Sequence, residues 1–93
     1  MTAVFAGDVG TEFILDCGVD ISTATVRKII VRKPVTGERV EWTAVAEGTT
    51  AIKYTTILGD ISTAGIMTVQ AYVEMPTWKG YGTKVNVTIN SPI

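Results

Sequence analysis

The clearest pattern of hydrophobic and polar positions in this chain follows the turn that begins at Asp60. Apolar and polar side chains alternate there over residues 67–74, which is typical of a β-strand with one buried face. The apolar face carries Met67, Val69, Ala71 and Val73, and the polar face carries Thr68, Gln70 and Glu74. We therefore predict a central strand in this stretch, with its apolar face in the core.

Shorter apolar segments with the same period flank this strand. They cover residues 11–16, 25–33, 39–45, 51–57 and 83–89. The side chains predicted to share an inward face are Ile29 and Val31; Val40, Trp42 and Ala44; Ile52, Tyr54 and Thr56; and Val85, Val87 and Ile89. No window has helical periodicity. About seven short strands at this spacing predict an all-β fold, an immunoglobulin-like antiparallel β-sandwich, in one domain that covers residues 1–93.

Glycine and proline mark the predicted turns. Residues 33–38 are predicted to form a hairpin, because Pro34 ends the strand ladder and Gly37 can adopt positive φ. Residues 76–82 contain Pro76 and two glycines and are predicted to form an exposed loop. The pentapeptide Asp-Ile-Ser-Thr-Ala occurs at 20–24 and again at 60–64, which we interpret as two similar turns rather than a duplication.

Composition agrees with a folded β-rich chain and excludes several partners. Apolar residues make up 46% of the chain and charged residues 18%, with a net charge of -1. This balance offers no basic excess for neutralising phosphates, so we predict no nucleic-acid partner. No apolar run approaches the ~18 residues of a transmembrane helix, so we predict no membrane partner. Residues 1–10 lack the basic start and apolar centre of a secretion signal, and we expect a product used without export.

The chain lacks the residue combinations that carry most catalysis and metal binding. It contains no histidine, the commonest general base and metal ligand. Asp8, Glu12, Asp16 and Asp20 recur at every fourth position, a spacing that suits turns and exposed faces rather than a calcium loop. Cys17 is the only cysteine, and we interpret it as a small buried hydrophobic residue at a strand end. We predict no catalytic residues, no metal site, no cofactor and no enzymatic activity.

Aromatic residues among glycines give the best candidate for contact with a partner. Trp78, Lys79 and Tyr81 fall in the predicted loop, where exposed aromatic side chains are typical anchors of an interface. The competing interpretation places Trp78 as a plug over the open end of the sandwich. A second surface is predicted to be a solvated face of mixed charge, with Glu38 and Glu41 on one strand opposite a local run of basic residues on the other. The basic residues are Arg27, Lys28, Arg32 and Lys33.

The order of these segments also resembles a known family. The stretches that carry the likeness are Gly-Asp-Val-Gly-Thr at 7–11, Asp-Ile-Ser-Thr-Ala at 20–24, Arg-Lys-Pro at 32–34, Ile-Lys-Tyr-Thr-Thr at 52–56, Gly-Asp at 59–60 and Val-Gln-Ala-Tyr-Val at 69–73. They resemble the small immunoglobulin-like domains of tailed-phage virion proteins, notably the N-terminal domain of phage baseplate upper proteins. In larger members of that family a receptor-binding part follows this domain, whereas the present chain stops at Ile93.

The resemblance implies a non-enzymatic structural protein of a tailed-phage virion, either a tail or baseplate component or a capsid decoration. Its implied partners are other phage virion proteins, with a homo-oligomer as a further expectation, and its implied location is the virion assembled in the bacterial host cytoplasm. Such a protein acts through repeated symmetric contacts with its neighbours. The alternative is a carbohydrate-binding or cell-surface adhesion module that uses Trp78 and Tyr81 to stack on sugar rings.

Overall fold

The computed structural model describes residues 4–92, except for the side chain of Thr83. The outermost residues of the predicted domain, 1–3 and 93, lie outside this description. The described residues form eight strands: β1 (Val4–Phe5), β2 (Glu12–Asp16), β3 (Val26–Arg32), β4 (Arg39–Thr43), β5 (Val45–Glu47), β6 (Ala51–Thr55), β7 (Gly65–Met75) and β8 (Trp78–Asn90). They form two sheets that pack as a sandwich, so the predicted all-β class is confirmed.

The larger sheet has five strands in the order β1-β8-β7-β3-β4. Adjacent strands in this sheet are antiparallel, except that β1 pairs in parallel with the last residues of β8. The predicted inward face of β7 is confirmed, because Met67, Val69 and Val73 are each at most 2% exposed. In β3 the predicted inward residues Ile29 and Val31 are both 0% exposed. The alternation of apolar residues therefore placed the centre of this sheet correctly.

The smaller sheet has three strands in the order β2-β6-β5. The single strand predicted for residues 39–45 is wrong, because the chain changes sheets at Ala44. Ala44 is buried, and its amide still donates to the Arg27 carbonyl of the larger sheet at 2.9 Å. Val45 then pairs with Lys53 of the smaller sheet. A buried alanine is small enough to let the backbone pass between the two layers at this point.

An aromatic cluster joins the two sheets. The Trp42 ring on β4 lies 4.7 Å from the Tyr54 ring on β6 and 5.5 Å from the Phe13 ring on β2, measured between centroids. Trp42 is 6% exposed and Phe13 is 7% exposed. One large side chain of the five-stranded sheet therefore contacts both long strands of the three-stranded sheet.

The exposed loop predicted for residues 76–82 is also wrong. A two-residue connection, Pro76 and Thr77, links β7 to β8, and Met75 pairs directly with Trp78. The two glycines that suggested a loop lie inside β8. Gly80 makes room for the neighbouring indole, because a Cβ atom there would stand 2.8 Å from the Trp78 ring and the ring would have to shift. Between Tyr81 and Lys84, β8 also contains one more residue than β7 does between Gln70 and Tyr72, which makes a β-bulge.

Within the described residues, strand β8 is an edge strand over most of its length. Of these residues only Ile89 and Asn90 of β8 pair with β1, so residues 78–88 have a described neighbouring strand on one side alone. Val87 and Ile89 are buried as predicted, but Val85 is 43% exposed although it pairs with the buried Val69. At the edge of a sheet, a side chain on the inward face of a strand can therefore remain exposed.

Candidate interaction surface

The structure separates the three residues predicted to contact a partner. Trp78 pairs with Met75, on the face of the larger sheet that carries Val73 and the core. Lys79 and Tyr81 alternate with it and lie on the opposite, outer face. All three side chains are exposed, Trp78 by 46% and Tyr81 by 57%. Because Trp78 and Tyr81 lie on opposite faces, they do not form one platform, and a glycan stacking on an aromatic ring would use Tyr81 or Trp78 alone.

Tyr81 instead forms a pair with Tyr72 of the adjacent strand. Their ring centroids are 4.8 Å apart with a tilted geometry. The Tyr72 hydroxyl donates to the Glu74 carboxylate at 2.7 Å. This cross-strand pair fixes the Tyr81 ring on the outer face, while Trp78 lies against Gly80.

A second exposed apolar surface lies at the opposite end of β7 and β8, and it is not among the surfaces predicted from the sequence. Three loops meet there, residues 6–10, 33–38 and 56–64, and they are flanked by Phe5 at the end of β1 and Ile66 at the start of β7. We name this surface the apolar pole. Its exposed side chains are Phe5, Val9, Val35, Ile57, Leu58 and Ile66, with exposed fractions between 38% and 88%.

Backbone hydrogen bonds hold the loops of the apolar pole together. The Gly7 amide donates to the Ile61 carbonyl at 2.6 Å, and the Gly10 amide donates to the Thr56 carbonyl at 2.9 Å. The third loop reaches the same place, because a Cβ atom on Gly65 would stand 2.9 Å from Pro34 Cβ. The apolar side chains are therefore presented by an ordered set of loops rather than by independent ones.

Asp60 organises the loop that carries Ile57 and Leu58. One carboxylate oxygen, Oδ2, accepts hydrogen bonds from the Tyr54 hydroxyl at 2.6 Å and from the Ile57 amide at 2.9 Å. The related pentapeptide at 20–24 bonds differently, since Asp20 accepts forward from the Ser22 amide at 2.8 Å. The two copies share a buried isoleucine, Ile21 and Ile61, and otherwise use different turn chemistry.

Val35 holds the most unusual position in this surface. It is 88% exposed and has a φ of 68°, the only positive φ of a non-glycine residue in the described part of the chain. The Thr36 amide donates to the Pro34 carbonyl at 2.7 Å, which closes a γ-turn around Val35. A γ-turn with positive φ is rare and strained, and a β-branched side chain increases the strain. Backbone strain of this kind is concentrated at functional sites.

A signal for this surface was present in the sequence but was not used. Val35 stands between Pro34 and Thr36 in a predicted turn, and Ile57-Leu58 directly precedes the turn at Gly59. Turn positions are normally filled by glycine, asparagine, aspartate or serine. Large apolar residues at such positions in two different turns are the sequence signal of this exposed surface.

The pKa values of two tyrosines provide a test of these contacts. Burial, together with the hydrogen bond to Asp60, raises the pKa of Tyr54 to about 12. The hydrogen bond to Glu74, followed by burial, raises the pKa of Tyr72 to about 12. A raised pKa means that the folded chain holds the phenol proton more tightly than the unfolded chain does. The resulting stability is fully present below the ordinary tyrosine pKa of 10.0 and is lost as the pH rises through about 12.

We therefore expect phenolate absorbance of the native chain to show two tyrosines titrating near pH 12. Tyr54→Phe should remove one of these steps and Tyr72→Phe the other. In denaturant, both should return to the ordinary pKa of about 10. Titration of Tyr54 in the native chain at its ordinary pKa would show that the Asp60 contact is absent in solution.

The remaining chemistry of the described residues is limited. Burial raises the pKa of the Cys17 thiol, and the neighbouring Asp16 carboxylate raises it further, so the thiol is a weak nucleophile at neutral pH. Cys17 directly follows β2, the strand-end position that the sequence predicted, but it is only partly buried against the core rather than fully buried. Among residues 4–92, apart from the Thr83 side chain, no group of three or more acidic or cysteine side chains is placed to hold a metal ion.

No helix in the described part of the chain is long and apolar enough to cross a membrane.

The apolar pole is therefore the feature of the described chain from which a function can be inferred. Comparison of the chain with protein-family models, with curated proteins and with solved structures finds no match.

Proposed function

We propose that this chain is a non-enzymatic structural protein of a tailed-phage virion, a tail or baseplate component or a capsid decoration. It docks onto other virion proteins through the apolar pole. The observation that carries this proposal is the strained, almost fully exposed Val35, at the same end of the sandwich as five further exposed apolar side chains. Exposed apolar patches rimmed by polar groups are typical of protein interfaces.

The strand order supports the immunoglobulin-like form of the sandwich that this proposal includes. In immunoglobulin domains the third strand pairs with the last two in one sheet, and the second strand pairs with later strands in the other. Here β3 lies beside β7, which lies beside β8, and β2 lies beside β6 in the smaller sheet. The transfer of the chain from β4 to β5 between sheets fits the same arrangement.

The backbone strain at Val35 is a reason to expect that its side chain serves in a contact. A left-handed backbone costs about 1–2 kcal/mol for a residue with a Cβ atom, and glycine would avoid this cost. The Val35 side chain makes little compensating contact within the chain, because it is 88% exposed. A buried place for this side chain in a complex would offset the strain.

Val35→Gly is expected to separate stability from docking. Glycine adopts positive φ without strain, so the free energy of unfolding should rise by about 1 kcal/mol. The same change removes an apolar anchor, so incorporation of the chain into particles should fall. Denaturant unfolding measures the first effect. Quantitative mass spectrometry of gradient-purified particles from a phage that encodes the chain measures the second.

Leu58→Ser is the matched control for this experiment. Leu58 is 85% exposed and needs no positive φ, so its replacement should reduce incorporation with little change in stability. Particles that lack the wild-type chain, or that contain both variants at the wild-type level, would contradict the proposed function. Glu38→Lys changes a charge on the same hairpin and tests whether loss of an apolar side chain is the cause.

A further inference from the structure

The two outer surfaces of the sandwich carry opposite net charges. The outer face of the five-stranded sheet, which we name the basic face, has five basic and two acidic side chains and a net charge of +3. These are Lys28, Arg32, Arg39, Lys79 and Lys84, with Glu41 and Glu74. The outer face of the three-stranded sheet, the acidic face, has three acidic and one basic side chain and a net charge of -2. These are Glu12, Asp16 and Glu47, with Lys53.

The basic face contains a shallow groove of about 300 Å³. Arg32, Arg39 and Lys84 line the groove, and Tyr81 and Ile30 add apolar surface to it. Lys84 makes no ion pair with any described residue, and the Arg32 guanidinium donates to the Gly37 carbonyl rather than to a carboxylate. Glu41 is shared between Lys28 at 3.0 Å and Arg39 at 3.5 Å. The groove therefore retains positive charge that the chain itself does not neutralise.

The acidic face has Lys53 at its centre, with an apolar side chain on either side of it and three carboxylates around it. Ile14 and Val45 lie on either side of Lys53 in the strand register. They are 54% and 58% exposed, respectively. Lys53 is held by Glu47 at 3.3 Å and by Glu12 at 3.9 Å. The net charge of this surface is opposite to that of the basic face, and its exposed Ile14 and Val45 offer apolar contact to the apolar strip of the groove.

We propose that the basic face of one copy of this chain docks on the acidic face of a second copy. The two surfaces differ, so the contact is heterologous, and each added copy leaves one face of each kind free. Copies therefore assemble head to tail into a chain or a closed ring. The strands of the smaller sheet are only three to five residues long. This limits the contact area, so we expect association at high protein concentration and low salt.

This inference goes beyond the proposed function, because no charged residue of either face belongs to the apolar pole. Two double variants test it by sedimentation velocity at low and high salt. Arg39→Gln with Lys84→Gln disables the basic face, and Glu12→Gln with Glu47→Gln disables the acidic face. Neutral replacements are used so that no new pair of complementary faces is created. Glu38→Lys, in the hairpin outside both faces, is the charge control, and circular dichroism checks that each variant is folded.

The wild-type chain and the Glu38→Lys control should form species larger than a dimer, or a ring, and dissociate in high salt. Each double variant alone should remain monomeric, and their equimolar mixture should form a one-to-one heterodimer and nothing larger. A wild-type chain that stays monomeric at low salt would overturn the inference and leave docking through the apolar pole intact. Association that persists in both double variants would also overturn it, as would a folded mixture without heterodimer.

Discussion

Trp42→Ala is expected to lower the free energy of unfolding by about 3–5 kcal/mol. The indole is 6% exposed and contacts Phe13 and Tyr54 across the two sheets. Its removal leaves a cavity in the only large aromatic cluster among the core residues that the structure describes. A small domain is stable by roughly 5–15 kcal/mol in total. The variant should therefore be close to unfolding at the temperature at which the wild-type chain is fully folded.

Trp78→Ala is the matched control, because it makes the same substitution at the other tryptophan. Trp78 is 46% exposed and packs against Gly80 at the edge of the larger sheet. Its replacement should lower the free energy of unfolding by less than about 1 kcal/mol. Urea unfolding of both variants measures the difference. Similar losses would mean that Trp78 covers the open end of the sandwich, as the competing interpretation of the sequence proposed.

Gly65→Ala is the second substitution with a large expected effect, a loss of about 3 kcal/mol or more. Gly65 has a φ of 134°, which side chains rarely adopt. A Cβ atom there would also stand 2.9 Å from Pro34 Cβ, which belongs to a rigid ring. The hairpin that carries Val35 would have to move away from β7. We therefore expect Gly65→Ala to weaken docking as well as stability.

Gly59→Ala separates the two causes of this loss. Gly59 has a φ of 92°, but an added Cβ atom there meets nothing within 4 Å. Gly59→Ala should therefore lower the free energy of unfolding only by the backbone strain, about 1–2 kcal/mol. Combining Gly65→Ala with Pro34→Gly in a double-mutant cycle then isolates the clash, because removing the proline ring relieves it. A cycle without coupling would contradict the close approach of the hairpin to β7.

The sequence by itself determined the fold class and most of the buried faces. Strand periodicity identified the inward residues of β3, β6 and β7, because a buried face imposes apolar side chains at every second position. The hairpin at 33–38 was equally readable, and Glu38 and Glu41 were predicted to pair with the basic strand opposite them. In the structure Lys33 lies 3.8 Å from Glu38 and Lys28 lies 3.0 Å from Glu41. These features depend on neighbours that are close along the chain or directly opposite in one hairpin.

Tertiary structure decided the features that depend on which elements meet. At Ala44 the chain passes from the larger sheet to the smaller sheet. The sequence next to this alanine does not distinguish it from an alanine within a strand. The sequence predicts a loop around Gly80 and Gly82, but both glycines lie within β8, and the Trp78 ring packs where a Cβ atom at position 80 would stand.

The candidate interaction residues also have some features that the sequence predicts and others that only the tertiary structure decides. Exposure of Trp78, Lys79 and Tyr81 was predictable from their polar and glycine-rich surroundings, but their separation onto two faces follows from the strand that contains them. The apolar pole is assembled from three loops that are far apart in sequence. Hydrogen bonds such as that of Gly7 to Ile61 bring them together. Sequence periodicity reports which side chains a strand buries, whereas only the packed chain shows which exposed side chains become neighbours.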